Sequence, residues 1–227
     1  VPLDRTNRIL VAAGLRRIRS GMACPGIGAL FAVAGRDPAR ASATDLAFAI
    51  GPRINAAGRL EDMAIGIRCL LADSAEEALQ LAARLDGINA ERRELQAVMT
   101  EEANAIIADL AIDGQAPAGL CLFDPAWHPG VVGLVASRMK ERLNRPVFAF
   151  APATDGSEEL RGSGRSIEGF HLRDALVEVD ACCPGLLIRY GGHAMAAGLS
   201  LPRAGLHAFT REFAAVVARR CGGSFEQ

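Results

Sequence analysis

The sequence predicts an α/β protein in which a helical first part is joined by one long helix to a part built on a sheet. Three observations carry that expectation. Residues 74–112 hold a heptad-like apolar stripe, the charge balance changes on either side of it, and beyond residue 113 short apolar runs alternate with helical ones. The 227 residues are 50% apolar and 22% charged, enough to bury a sizeable core, which excludes a disordered chain or a disulfide scaffold. Lys+Arg 25 against Asp+Glu 26 gives net −1, which excludes a uniformly basic nucleic-acid binder. The distribution is uneven, however. Residues 1–60 carry nine arginines against three carboxylates, residues 61–113 four against twelve, and residues 114–227 twelve basic groups against eleven acidic ones. Such a pattern suggests two units with different tasks, joined by an acidic connector. Lys140 is the only lysine. Arginine's planar fork suits phosphate, but a genomic preference for arginine and alanine explains the excess equally well.

In chain order, the first helix is expected over Asn7–Arg19, where Ile9, Leu10, Leu15 and Ile18 share a side and Gly21 ends the run. A short helix follows over Pro25–Ala34. Another spans Ala43–Ile50, with Thr44 as candidate N-cap and Gly51-Pro52 as its end. Residues 53–59 show no clear periodicity, and residues 62–72 read as one more helix. Ser74-Ala75-Glu76-Glu77 is a capping box that opens the connector. Leu81, Leu85, Ile88, Leu95, Met99, Ile106 and Leu110 then continue a stripe over a helix about 54 Å long at ~1.5 Å per residue. Gly87 is a candidate bend in it.

Beyond Asp113-Gly114 the expected order is a strand at Ala118–Phe123, a turn at Trp127–Gly130, a helix at Val131–Leu143 and a strand at Pro146–Phe150. A glycine-interrupted strand at Leu160–Ser166 and a helix at His171–Val179 come next. Strands at Leu186–Arg189 and Met195–Leu201 and a last helix at Leu206–Arg220 complete an α/β sheet domain. Six cysteines without CxxC spacing read as small, mostly buried hydrophobes of a reducing, cytoplasmic compartment. No apolar run reaches the ~18 residues of a membrane span. The chain opens at Val1, inside what reads as a folded segment, and is expected to be a piece of something longer.

Arg161-Gly162-Ser163-Gly164-Arg165-Ser166 sets two arginines and two hydroxyls around two glycines. Glycines let backbone N–H groups approach an anion, and the arginines add charge-assisted hydrogen bonds. A bulged strand with exposed charges has the same composition, so spacing alone leaves both readings open. Gly191-Gly192-His193 opens a run of small residues in which His193 is placed to meet a phosphate or exchange a proton, or to serve the fold. Arg53, Asn55 and Arg59 suit phosphate contact or a salt-bridged seam. His128 at a helix entrance reads as structural, His171 and His207 as capping or surface residues, and Cys182-Cys183 lacks the spacing of a zinc site. Two-metal phosphoryl chemistry needs carboxylates and imidazoles converging on each ion, and Asp124, Asp155, Asp174 and Asp180 are scattered.

Four of these stretches together carry a resemblance. Gly51-Pro52-Arg53-Ile54-Asn55-Ala56-Ala57-Gly58-Arg59, Trp127-His128-Pro129-Gly130-Val131-Val132-Gly133, Gly162-Ser163-Gly164-Arg165-Ser166 and Gly191-Gly192-His193-Ala194-Met195-Ala196-Ala197-Gly198 resemble, in that order, signatures of the RecJ family. These are bacterial single-stranded-DNA-specific 5′→3′ exonucleases of repair and recombination, within the DHH phosphoesterases. The resemblance implies that residues 1–73 are the helical tail of a DHH catalytic domain, 74–112 a linker helix and 113–227 a mixed-sheet α/β DHH-associated domain. It implies that Ser163 and Arg165 hold a DNA phosphate at the 5′ end, and the placement of Arg161 beside them suggests phosphate contact too. Gly191, Gly192 and His193 would line the cleft near the scissile phosphate, His193 as a possible assistant. Arg53 and Asn55 would face it from the other domain, while the placement of Arg59 suggests phosphate contact as well. The family's Mn²⁺ or Mg²⁺ ligands lie outside this sequence, as does its further oligonucleotide-binding fold. The expectation is therefore a chain that binds single-stranded DNA, holds no metal and does not hydrolyse alone.

Two other readings remain. A DHH phosphoesterase of short oligonucleotides or cyclic dinucleotides uses a related Gly-Gly-His loop, and a non-catalytic module would bind nucleic acid or a partner protein only. The Arg53–Arg59 stretch and the long helix favour RecJ. Aromatic stacking normally supports single-strand binding, and Phe170 and Tyr190 are the candidates beside the glycine motifs.

Overall fold

The computed structural model describes residues 4–112 and 117–221. Helix α1 (Arg5–Arg19) is capped by Asp4, whose carboxylate accepts the Asn7 N–H at 2.8 Å, and carries Arg16, Arg17 and Arg19 at its negative end. Helix α2 (Pro25–Val33) starts on a proline whose missing N–H has no partner to lose in a first turn. Helix α3 (Ala43–Asp45) is capped by Ser42 rather than Thr44, through a reciprocal box with Asp45.

The helix does not stop at Gly51-Pro52 as the sequence suggests. It widens into a π turn at Leu46–Ile50, with the Gly51 N–H bonded to the Leu46 carbonyl, and continues as α4 (Gly51–Leu60). Proline cannot donate to the i−4 carbonyl and its ring crowds it. The wider turn removes that conflict, and Arg53 Nη1 satisfies the Ala49 carbonyl at 2.6 Å. The stretch without visible periodicity is thus helical. Helix α5 (Ala64–Leu71) follows, and the core of this part centres on Leu30, Phe31, Ala56, Ala57, Cys69 and Leu85.

Helix α6 runs unbroken from Ala75 to Ile112, through Gly87, with Ser74 Oγ accepting the Glu77 N–H at 3.1 Å. The chain divides within it into two compact units, one reaching to Glu94 and one beginning at Leu95. The buried positions of α6 follow that division. Ala78, Ala82, Leu85 and Asn89 are buried in the first half and Met99, Ala103 and Ile107 in the second. Ile107 rather than Ile106 is covered, because each half packs into its own core and the stripe need not keep one phase. Three of these positions are alanine and only Leu85 is leucine, and a short side chain lets a neighbouring element come close.

The second unit is a five-stranded mixed sheet in the order β1-β2-β3-β5-β4. Strand β1 (Leu120–Phe123) pairs parallel with β2 (Val147–Pro152) across the helical crossover α7 (Val132–Leu143). Strands β3 (Glu159–Arg165), β5 (Ala196–Pro202) and β4 (Arg189–Gly192) add antiparallel. The strand expected at Leu186 therefore starts three residues later. Helices α8 (Leu172–Cys182) and α9 (Leu206–Cys221) pack against each other and the sheet. Their core holds Phe148 and Phe150 of β2 against Phe209 and Phe213 of α9, with the Phe148 and Phe213 rings edge to face at 5.1 Å. Gly162 and Gly164 give these rings room: a Cβ on either would stand within 2.5 Å of ring carbon. The buried Trp127 donates its indole N–H to Glu102 at 2.8 Å, which ties the second half of α6 to the turn before α7.

The six cysteines are free thiols, but only Cys69 is fully buried, and Cys24 and Cys182 are exposed. That corrects the expectation of mostly buried cysteines. No helix among the described residues is long and apolar enough to cross a membrane.

Candidate functional site

Strand β3 alternates. Leu160, Gly162 and Gly164 turn into the phenylalanine core, so Arg161, Ser163 and Arg165 stand on the opposite face, the one α7 covers in part. The register carries this face across three strands. Arg161 pairs with Ser200 and Ser200 with Arg189, while Ser163 pairs with Gly198 and Gly198 with Gly191. The second rung has glycine at two of three positions, which leaves bare backbone beside the Ser163 hydroxyl. A hollow of about 470 Å³ opens here, bordered by Arg161, Ser163, Arg189, Gly191 and Ser200, and by Pro129 and Val132 at the start of α7.

The first turn of α7 closes on Ser163 and Arg165. A Cβ on Gly133 would lie 2.8 Å from both Arg165 Nη2 and Ser163 Oγ. No side chain caps the amino end of α7, so its N–H groups and positive dipole end add to the arginine there. Arg165 Nη1 donates to Ser163 Oγ at 3.0 Å and to the Gly164 carbonyl at 2.8 Å. His128 Nδ1 accepts the Gly130 N–H at 3.1 Å, a structural bond in the turn that delivers α7.

The glycine-histidine motif forms the end of β4 and the turn into β5. Gly192 has φ +146, and a Cβ there would meet the Ala196 carbonyl oxygen at 2.4 Å, so only glycine fits. His193 is exposed, its backbone N–H donates to the Ala196 carbonyl at 2.8 Å, and Nδ1 accepts the Met195 N–H at 3.3 Å. In the neutral ring the proton then sits on Nε2. Gly191 is open to solvent, with nothing within 4 Å of an added Cβ.

The two aromatic candidates are turned away. Tyr190 pairs with Leu199 and donates its hydroxyl to Asp180 of α8 at 3.3 Å, on the far side of the sheet. Phe170 is 4% exposed within the core. Period-2 alternation decides the first and burial the second, so neither supplies a stacking platform.

In the first unit, Arg53 is committed to the fold. Its Nη2 pairs with Asp86 of α6 at 2.8 Å while Nη1 holds the Ala49 carbonyl, and its Nε is buried without a partner. Asn55 is exposed and Arg59 half-buried, four residues apart on α4 and hence on one face. Arg92 of α6 escapes a sequence reading. Burial holds its guanidinium below the ordinary arginine range, and the like charges of Arg59 and Arg93 add to that. The Arg92-Arg93 pair is visible in the sequence, but its approach to Arg59 of α4 is not. Arg189 and Ser200 escape as well, because their place beside Arg161 is a matter of cross-strand register.

A divalent ion is implied by the family resemblance. Among the described residues no three His, Cys, Asp or Glu side chains converge as a metal site requires. The described part of the chain therefore does not fit a metal centre, and no hydrolytic step is derived from it. What the arrangement offers is phosphate recognition: two arginines, a hydroxyl, helix N–H groups and a floor without side chains.

Residues 102–219 match the DHHA1 domain family. The chain is 53% identical over 218 residues to the single-stranded-DNA-specific exonuclease RecJ of Dickeya dadantii, covering 96% of this chain and 38% of that one. It is 51% identical to the protein of the same description from Escherichia coli, covering 96% and 37%. The crystal structure of RecJ in complex with Mg²⁺ from Thermus thermophilus superposes with a TM-score of 0.81 at 36% identity, covering 96% of this chain and 32% of that one. The Mn²⁺ complex of RecJ from the same organism gives 0.80 at 37% identity, with coverage of 96% and 31%. The chain thus spans less than two fifths of the length of these curated relatives. With its sheet unit matched from residue 102 to 219, and 96% of its length similar to RecJ sequences, the chain belongs to the DHHA1 domain family.

Proposed function

We propose that the chain is the part of a RecJ-type, single-stranded-DNA-specific 5′→3′ exonuclease of repair and recombination that grips the DNA backbone in the cytoplasm. The observation that carries this reading is the Arg161–Ser163–Arg165 face of β3, closed by the amino end of α7 and floored by glycine. Ser163 and Arg165 take the 5′ phosphate, Arg161 adds charge beside it, and Gly191 and Gly192 let the strand pass close to the backbone. His193 presents Nε2–H to the same strand. Within the first unit Asn55 and Arg59 contact DNA, while Arg53 holds α4 against α6. In this reading residues 1–73 are the tail of the catalytic domain, 74–112 the linker and 113–227 the DHH-associated domain. The rest of the parent, including an oligonucleotide-binding fold, completes the cleft. In the parent, Mn²⁺ or Mg²⁺ would supply Lewis acidity and an activated water, on a ligand set that the described residues of this chain do not bring together.

The test is binding of labelled single strands, with a 5′ phosphate or a 5′ hydroxyl, in the presence of Mn²⁺. The chain is expected to bind the phosphorylated strand more tightly, to leave it intact, and to lose the preference on Arg165→Ala. Equal loss for both strands removes the 5′ pocket. Robust degradation by a clean preparation removes the division of labour.

A further inference from the structure

We infer that Arg161, Arg189 and Ser200 form a second phosphate subsite, which holds a backbone phosphate neighbouring the one at Ser163 and Arg165. The inference rests on the reading that Ser163 and Arg165 hold a phosphate. The three residues come from three strands and share one rung, since Arg161 and Arg189 both pair with Ser200. They share a face with the Ser163 rung because residues two apart on a strand point the same way. At ~3.4 Å per residue the rungs lie about 6.8 Å apart, a span comparable with the step between adjacent phosphates of an extended single strand. Between the Ser163 hydroxyl and the β4 edge stand only Gly198 and Gly191, so no side chain separates the two positions.

The rung is built to hold an anion. Ser200 is 2% exposed, and its hydroxyl accepts the Arg189 Nε–H at 3.2 Å, which aims that guanidinium along the rung. Arg161 is exposed and makes no hydrogen bond or ion pair with another described residue. Among the described residues the one carboxylate paired with the rung is that of Glu159, 3.7 Å from an Arg189 side chain that is 66% exposed. A contact so long and wet is weak, so two guanidiniums face one loosely held acid. The hollow of about 470 Å³ in front of them is bordered by both arginines and by Ser163. With Tyr190 turned to the other side of the sheet, the groove offers the bases no ring to stack on. Contact there is with backbone phosphate, which positions a strand without reading its sequence.

The experiment uses the chain with a 5′-phosphorylated oligothymidylate in which each of the first three linkages in turn carries a neutral methylphosphonate. One neutral linkage is expected to weaken wild-type binding by about tenfold, and to have no effect on the Arg161→Ala/Arg189→Ala double variant. The same variant is expected to lower the slope of log affinity against log salt by about 0.7 for the lost phosphate contact. Both side chains are exposed, so its melting temperature should match the wild type. Neutral linkages that weaken both proteins alike, or none at all, overturn the second subsite. Arg165→Ala must abolish the advantage of the 5′ phosphate, and if that advantage survives, the Ser163–Arg165 assignment falls whatever the linkage series gives. A chain that binds none of the strands overturns both.

Discussion

At the scale of single residues, the Arg161–Ser163–Arg165 face depends on where side chains are missing. Gly133 is the sharpest case, because the groups a Cβ would displace are the ends of the Arg165 and Ser163 side chains rather than backbone. The fold can yield there, but the guanidinium must leave its place. Gly133→Ala is therefore expected to weaken binding of 5′-phosphorylated single strands by about tenfold. Gly133 is buried within α7, but the gain in helix propensity from glycine to alanine, about 1 kcal/mol, offsets the displacement of two side-chain ends. The stability loss should therefore stay within about 1 kcal/mol. Paired titration and denaturant unfolding separate the two effects, and unchanged affinity would show that the Arg165 position is unimportant. Gly192 differs in kind, since the atoms in its way are the Ala196 carbonyl and the Ala197 backbone.

At the scale of elements, α8 and α9 are joined by one carboxylate. Glu178 accepts from Arg219 Nη2 and from Arg220 Nε, both at 2.8 Å, and Arg219 also reaches Glu212 at 3.4 Å. The Arg219 hydrogen bond first, and the Arg220 one next, hold the Glu178 carboxyl below the usual glutamate range. A depressed carboxyl contributes stability that is present above its unfolded value and lost as pH falls through the folded one. Glu178→Gln should lower the melting temperature at neutral pH. The difference from wild type should close as pH falls below the ordinary glutamate value of about 4.3. Melting curves across that range test it, and a constant offset would mean that packing, not charge, joins the helices. The helix from α3 to α4 teaches something else at this scale. Gly51-Pro52 ordinarily marks a helix end, but here the π turn and the Arg53 contacts to Ala49 and Asp86 let the helix pass through it.

At the scale of the whole molecule, a net charge of −1 conceals an uneven distribution of charge. The acids concentrate along α6, while the arginines around the hollow stand on β3 and β4. Single-strand binding should accordingly fall with salt although the protein is nearly neutral. The slope of log affinity against log salt is expected to be about −1.4 for two phosphates at ~0.7 each. Titration over a series of salt concentrations measures it, and an affinity indifferent to salt would overturn the electrostatic account.

Much of this molecule is legible in the chain itself. The Ser74 cap and the apolar spacing announce α6, and the alternation of short apolar runs announces a sheet with helices. Arg161, Ser163 and Arg165 can be placed on one face by counting. These are local properties: a cap, a period of 3.6 and a period of 2 involve neighbours in sequence. What only the tertiary structure decides is which strands lie side by side and in what register. That brings Arg189 and Ser200 to Arg161, sends Tyr190 to Asp180 rather than to the groove, ties Arg53 to Asp86 and gathers Arg92 with Arg59. The physical reason is that these relations join residues far apart in the chain, and their energy comes from burying two distant surfaces against each other. No window along the sequence contains both partners.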